Sequence, residues 1–181
     1  SLESKQDIVI KFGKQVIEMN KIINLEQVTD YEIYNPILTL SEDLDYDNRF
    51  CVIRTNAGNI AFSYYDLGIA PDYIIQDTIL FLSFGKSYYI LDLKEKSILC
   101  KSDETSSVIF EIIKFDVQPH ILLVGEMSLI CFGLEGDLIW KNSYRNTIFD
   151  WSVTNKGVLV IFENDEKWLI SLKDGNGICI E

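Results

Sequence analysis

A repeat of about 39 residues constrains this chain more than any other feature, because a period of that size is the mark of stacked supersecondary units. Asp72, Glu111 and Asp150 recur at one equal spacing, and each is followed five positions later by a turn-forming side chain, Asp77, Asp116 or Asn155. The copies read Asp72-Tyr73-Ile74-Ile75-Gln76, Glu111-Ile112-Ile113-Lys114-Phe115 and Asp150-Trp151-Ser152-Val153-Thr154. A second register agrees, because turns centred on Asn56, Leu93, Leu134 and Leu172 recur at nearly the same interval. An earlier copy fits at Glu26-Gln27-Val28-Thr29-Asp30 with one deletion. It lies further from Asp72 than one period, and the excess matches an insertion at residues 41–47.

Between the turns lie short runs of Ile, Val, Leu, Phe and Tyr, which are strand and hairpin signals. Arg49-Phe50-Cys51-Val52-Ile53-Arg54 turns through Asn56-Ala57-Gly58-Asn59 into Ile60-Ala61-Phe62. Helical periodicity is not sustained beyond about three turns, so the fold class is all-β. Each unit reads as four strands, in the third copy at about 107–114, 121–124, 128–132 and 137–141. A four-stranded sheet with two apolar faces is stable only when neighbours stack on it, which predicts a β-propeller-like array. Its units fall at about 21–65, 66–103, 104–142 and 143–181 within one domain, and residues 7–18 form an additional N-terminal hairpin. An open stack of repeats is the structural alternative.

Composition narrows the partners. With 48% hydrophobic and 24% charged residues the chain is globular rather than disordered. Its formal net charge of −12 repels nucleic-acid backbones and anionic membranes, so neutral, basic or metallic partners are expected. There is no stretch of about 18 apolar residues and no secretory-signal pattern, and the expected location is the cytoplasm. Cys51, Cys100, Cys131 and Cys179 lie in apolar runs without a C-x-x-C pair or a Cys/His cluster. Reduced core cysteines are expected in preference to disulfides, and zinc is not.

Gly133-Leu134-Glu135-Gly136-Asp137-Leu138-Ile139-Trp140-Lys141 resembles the blade-closing turn of the pyrroloquinoline-quinone enzyme repeat and, more loosely, of WD-repeat propellers. Asn56-Ala57-Gly58-Asn59-Ile60-Ala61-Phe62 and the segment around Leu93 look like weaker copies. The resemblance extends over the four units, lacks a Trp-Asp dipeptide and matches none of the family's cofactor or metal residues. The sequence is also similar to bacterial propeller-like proteins. What this implies is a scaffold without quinone chemistry, with an immunity-type role against a basic toxin as a special case.

Catalytic templates find little purchase. His120 is the single histidine, no G-x-S-x-G elbow or phosphate loop is present, and a lone His at a turn reads as a surface residue. Asp43-x-Asp45-x-Asp47 opens like a calcium loop, but Asn48 stands where Gly is required and Arg54 where a bidentate Glu belongs, so a solvated acidic loop is expected. The acidic series carries the sharper reading. If first strands are innermost, Glu26, Asp72, Glu111 and Asp150 ring one axis and either bind a basic side chain or cation, or bond N–H groups of the next blade as scaffold. Tyrosine favours interfaces, and Tyr46 and Tyr144 fall in loops where exposure is expected.

The sequence therefore points to a non-catalytic protein-interaction module with an acidic loop or channel face, Glu26, Asp72, Glu111, Asp150, Tyr46 and Tyr144 as binding residues, and a protein partner that is basic. No cofactor, nucleic acid or membrane is expected. A carboxylate-based hydrolase or lyase acting on a sugar or small ligand in the channel is the alternative.

Overall fold

The apolar runs become strands wherever a turn former lets the chain reverse, and the computed structural model describes residues 9–12, 15–18, 20–41, 45–102, 107–116 and 118–180. The chain divides into two compact units, Ser1–Gly68 and Ile69–Glu181.

In the first unit, β1 (Val9–Phe12) and β2 (Gln15–Glu18) form an antiparallel hairpin. Strands β3 (Ile22–Leu25), β4 (Leu38–Ser41), β5 (Arg49–Thr55) and β6 (Gly58–Tyr64) form a sheet in the order β3-β5-β6-β4, with β4 parallel to β6. This copy departs from the expected strand at 26–30. After Leu25 the chain enters a 3₁₀ turn at Val28–Asp30 that runs into the short helix α1 (Tyr31–Tyr34). Asp30 turns back to accept the Gln27 N–H at 3.2 Å, a local bond that competes with extended structure. Asn35 at φ 44° then ends the helix, and Pro36 prevents its resumption. Tyr31 packs with Val52 and Ala61 and donates its hydroxyl proton to the Phe62 carbonyl at 2.5 Å, so the helical segment covers one face of its own sheet.

The second unit holds three meanders. They are β7 (Asp72–Gln76), β8 (Ile79–Phe84), β9 (Ser87–Asp92) and β10 (Ser97–Lys101); β11 (Ile109–Phe115), β12 (His120–Gly125), β13 (Ser128–Gly133) and β14 (Leu138–Ser143); and β15 (Ile148–Thr154), β16 (Gly157–Phe162), β17 (Lys167–Ile170) and β18 (Gly177–Ile180). Each is a four-stranded antiparallel sheet in sequence order, the blade of a propeller-type repeat. The third copy's strands lie close to their expected positions.

Alternation within the strands builds the core. In the middle blade Ile121, Leu123, Ile130 and Phe132 face the blade before, with Phe81 and Ile90. The intervening Leu122, Val124, Leu129 and Cys131 face the blade after, with Val158, Val160 and Phe162. Closing turns lock successive blades. Gly136 at φ +86° lies so close to the preceding blade that a Cβ would stand 2.9 Å from Ile90 and 3.0 Å from Leu99. One repeat later, Gly175 at φ +72° approaches Trp140, whose Nε1–H donates to the buried Leu172 carbonyl at 2.8 Å. Only glycine fits both the dihedral and the space.

Cys51 and Cys131 are buried as expected and Cys100 is half-buried, but Cys179 is exposed because β18 is an outer edge strand. Burial pushes the thiol of Cys51 up to about 11, the thiol of Cys131 up to about 12 and the phenol of Tyr31 up to about 12. The folded protein thus holds these groups neutral at pH values where the unfolded chain ionises them. Their stabilisation is complete below the ordinary thiol value of 9.0 and declines as pH rises toward the folded values. The melting temperature is expected to be level near neutrality and to fall steadily above about pH 9, with a shallower fall in Cys131→Ala; a profile level to about pH 11 would contradict this burial.

Candidate functional site

The first strands of the second unit carry the acidic series, and β11 runs beside β7 and β8 of the preceding blade. Asp72 opens β7, half-buried. Its Oδ1 accepts the N–H of Tyr73 at 2.9 Å, and its Oδ2 accepts the N–H of Ile112, on the next blade's first strand, at 2.8 Å. Glu111 makes the same link by other means, its Oε2 accepting the indole N–H of Trp151 on β15 at 2.8 Å. A carboxylate gains from N–H donors in place of lost water, and a charged hydrogen bond is stronger than a neutral one.

A β-bulge precedes two of these carboxylates. Pairing of β11 with β12 shifts between Ile109 and Glu111, and pairing of β15 with β16 shifts between Ile148 and Asp150. The residues passed over are Phe110 and Phe149, one repeat apart, where the bulge re-aims the side chain. Phe110 stacks on Trp151, ring centroids 5.7 Å apart and planes within 4°. Phe149 is 74% exposed.

Asp150 repeats the local geometry of Asp72, accepting the N–H of its own neighbour Trp151 at 2.8 Å through Oδ1. It is exposed, at the position from which Asp72 and Glu111 reach the following blade. Glu26 takes a different place. It follows the last residue of β3, whereas Asp72 opens β7, so the two carboxylates lie at opposite ends of their first strands. The sequence match at 26–30 missed this because the helical segment replaces the expected strand.

Register shows what the last blade leaves uncovered. In the middle blade, Ile113, Leu122, Cys131 and Trp140 pair in one row, and Trp140 is only 8% exposed. The equivalent row of the last blade is Ser152, Leu159, Leu169 and Ile178, and Ile178 is 70% exposed. The adjacent row runs Asp150, Ile161, Lys167 and Ile180. Sequence reading singled out Asp150 but passed over Leu159, Ile161, Leu169, Ile178 and Ile180, because they look like ordinary core-facing strand positions. Only the pairing places them on a face turned away from the preceding blade.

The other sequence candidates lie elsewhere. Tyr46 is 71% exposed, in a turn of the first unit. Tyr144 differs from expectation, being half-buried against Phe162 with ring centroids 5.1 Å apart. Its backbone N–H is tied to the Met127 carbonyl at 2.8 Å, which draws the loop inward. His120 is half-buried at the start of β12, with Nδ1 enclosed and without a partner among the described residues, rather than on the surface. Asp43 of the calcium-like run lies outside the described residues. Asp47 accepts the hydroxyl protons of Ser41 at 2.8 Å and Ser63 at 2.6 Å, anchoring its loop to the sheet. Among the described residues no three His, Cys, Asp or Glu side chains stand close enough to share a metal ion, and no helix is long and apolar enough to cross a membrane. A groove of about 230 Å³ lined by Lys114, Phe115, Asp116 and Gln118 on one side and residues 153–157 on the other contains one carboxylate, Asp116.

No family model matches the sequence, and no curated protein is significantly similar to it. Among solved structures the chain is similar to BamB from Moraxella catarrhalis, at 11% identity over 61% of this chain and 36% of that one, with a TM-score of 0.42. It is similar to the Swd1 β-propeller domain of Myceliophteria thermophila at 12% identity over 74% and 53%, with a TM-score of 0.43. A europium-containing methanol dehydrogenase aligns at 16% identity over 59% and 23%, with a TM-score of 0.45. The chain thus matches from 23% to 53% of the length of these structures.

The carboxylates are separable by stability. Asp72→Ala removes a charged acceptor and strands the Ile112 N–H, at an expected cost of about 1.5–3 kcal/mol. Asp150→Ala is expected to change stability by less than about 0.5 kcal/mol, as at other exposed sites. Urea unfolding of both variants checks this, and equal losses would contradict the assignment.

Proposed function

We propose that the protein is a non-catalytic protein-interaction module whose docking surface is the outward side of the last blade, β15–β18. The observation that carries this reading is the exposure of Phe149 and Ile178 at positions whose counterparts one repeat earlier, Phe110 and Trp140, are covered by the following blade. Exposed large apolar groups clustered on one sheet face mark interaction surfaces. Asp150 supplies a polar anchor at the rim, presented as Asp72 is to its neighbour. The docked protein takes the position of a following blade, covering Phe149, Leu159, Leu169 and Ile178 and bringing an N–H donor to Asp150.

The net charge of −12 favours basic partners at longer range, through the exposed Glu111 and Asp150 and other acidic side chains. An immunity-type role is the special case in which that partner is a basic toxin. Salt separates the two contributions, since charge-led binding weakens with ionic strength and apolar burial does not.

The test is affinity capture from native extract with wild type, Phe149→Ser, Ile178→Asp and, as a control on another blade, Leu138→Ser. A protein retained by wild type and by the control, and lost by the two last-blade variants, is the expected result. Capture unaffected by both last-blade variants would overturn the docking site.

A further inference from the structure

Two hydroxyls and an ammonium converge on one cavity of the second unit. In a chain with 28 acidic residues, this cavity of about 320 Å³ on the middle blade is bordered by Ser128, Ser143 and Lys141 and, among the described residues, by no carboxylate. Register puts the three on one face of the sheet. Lys141 pairs with Ile130 and Ser143 with Ser128, and Ile130 packs toward the preceding blade. Ile109 and Met127 complete an apolar wall with Ile130.

Ser128 is only 7% exposed, yet among the described residues its hydroxyl makes no hydrogen bond. A polar group so buried is costly without a partner, and this one borders a space that a partner can enter. Gly125 makes the room, since a Cβ there would stand 2.8 Å from Ser128 Oγ and 3.2 Å from Ile109 Cδ1. Ser107, a third hydroxyl at the cavity, already accepts the Met127 N–H at 3.3 Å. Cross-strand neighbours hold their Cβ atoms about 5 Å apart, so Ser128 and Ser143 can donate to one small group between them. Lys141 supplies the charge. Burial pushes the Cys100 thiol up and the Lys141 charge opposes that push, which puts the ammonium on the side of the sheet that looks to β10.

We infer that this cavity binds a small monocarboxylate with an apolar chain, its carboxylate held by Lys141, Ser128 and Ser143 and its chain lying on Ile109, Met127 and Ile130. The single ammonium balances a single negative charge, and hydrogen bonds to an ionised acceptor are stronger than those to a neutral one. A phosphate dianion would leave one charge unbalanced in a protein of net charge −12, and it has no chain to cover the apolar wall. A cation would meet the Lys141 charge. The cavity is on the middle blade's face toward the preceding blade, so binding there is independent of the docking surface on β15–β18.

Titration of the full chain with hexanoate at neutral pH, followed through the backbone amide resonances, tests this. Saturable shifts at Met127, Ser128 and Ser143 are expected, with a dissociation constant of about 1 mM or tighter. Lys141→Met raises that constant about 10-fold or more, and Ser128→Ala and Ser143→Ala each raise it about 5-fold. Lys141 and Ser143 are exposed, and melting temperatures near that of wild type confirm that their variants fold. Hexanamide, which has the same shape without the charge, binds about 10-fold more weakly or not at all. Hexanoate that leaves these amides unmoved overturns the inference, as does binding that Lys141→Met leaves unchanged. Hexanamide binding as tightly as hexanoate overturns the carboxylate, and so does inorganic phosphate moving the same amides at lower concentration.

Discussion

The hydrogen bond from the Ile112 amide to the Asp72 carboxylate is the contact on which the arrangement of the second unit depends. A blade's first strand has a sheet partner on one side only, so half of its amides face away from the ladder. An N–H left there away from water costs about as much as a lost hydrogen bond. Asp72 captures one such amide and, in doing so, fixes the height of one blade against the next. Apolar packing between the blades, from Ile79 and Phe81 to Ile121 and Leu123, is strong but poorly directional. The carboxylate supplies the register that packing alone leaves loose. Glu111 repeats the device on an indole, and the Phe110–Trp151 stack beside it adds aromatic contact at the same level.

The same logic explains why the last blade differs from its predecessors without differing in construction. It has the bulge, the re-aimed phenylalanine, the carboxylate bonded to its own neighbour and the apolar run Leu159, Leu169 and Ile178, but Phe149, Asp150 and Ile178 remain accessible. The first sheet follows another course, with the helical segment around Tyr31 folded over Val52 and Ala61 within its own unit. A sheet face can be closed by a helix of the same chain or by a neighbouring sheet, and this protein contains both solutions.

Much of this was legible in the sequence because it is periodic. The equal spacing of Asp72, Glu111 and Asp150 located three blades, and the turn formers placed their strands closely. The scaffold alternative for the acidic series, bonding to the next blade's N–H groups, describes Asp72, and in side-chain form Glu111. Where periodicity failed, a local effect had overridden it. Glu26-Gln27-Val28-Thr29-Asp30 follows the repeat pattern, yet the Asp30 carboxylate closes on the Gln27 amide and starts a helical turn. Tyr144 looked like a loop residue, but a backbone bond to Met127 pulls it against Phe162. The exposure of Ile178 was invisible because an exposed and a buried isoleucine are written alike. Only strand register shows that Ile178 stands where Trp140 stands one blade earlier.

Amide hydrogen exchange at Ile112 tests the central claim most directly. With the carboxylate clamp in place, this inner-edge amide exchanges slowly in the wild-type protein, and in Asp72→Ala it becomes about 10-fold faster or more, while amides of β12 and β13 keep their protection. An Ile112 amide that exchanges equally fast with and without the Asp72 carboxylate, in a protein whose blades remain folded, would contradict the account.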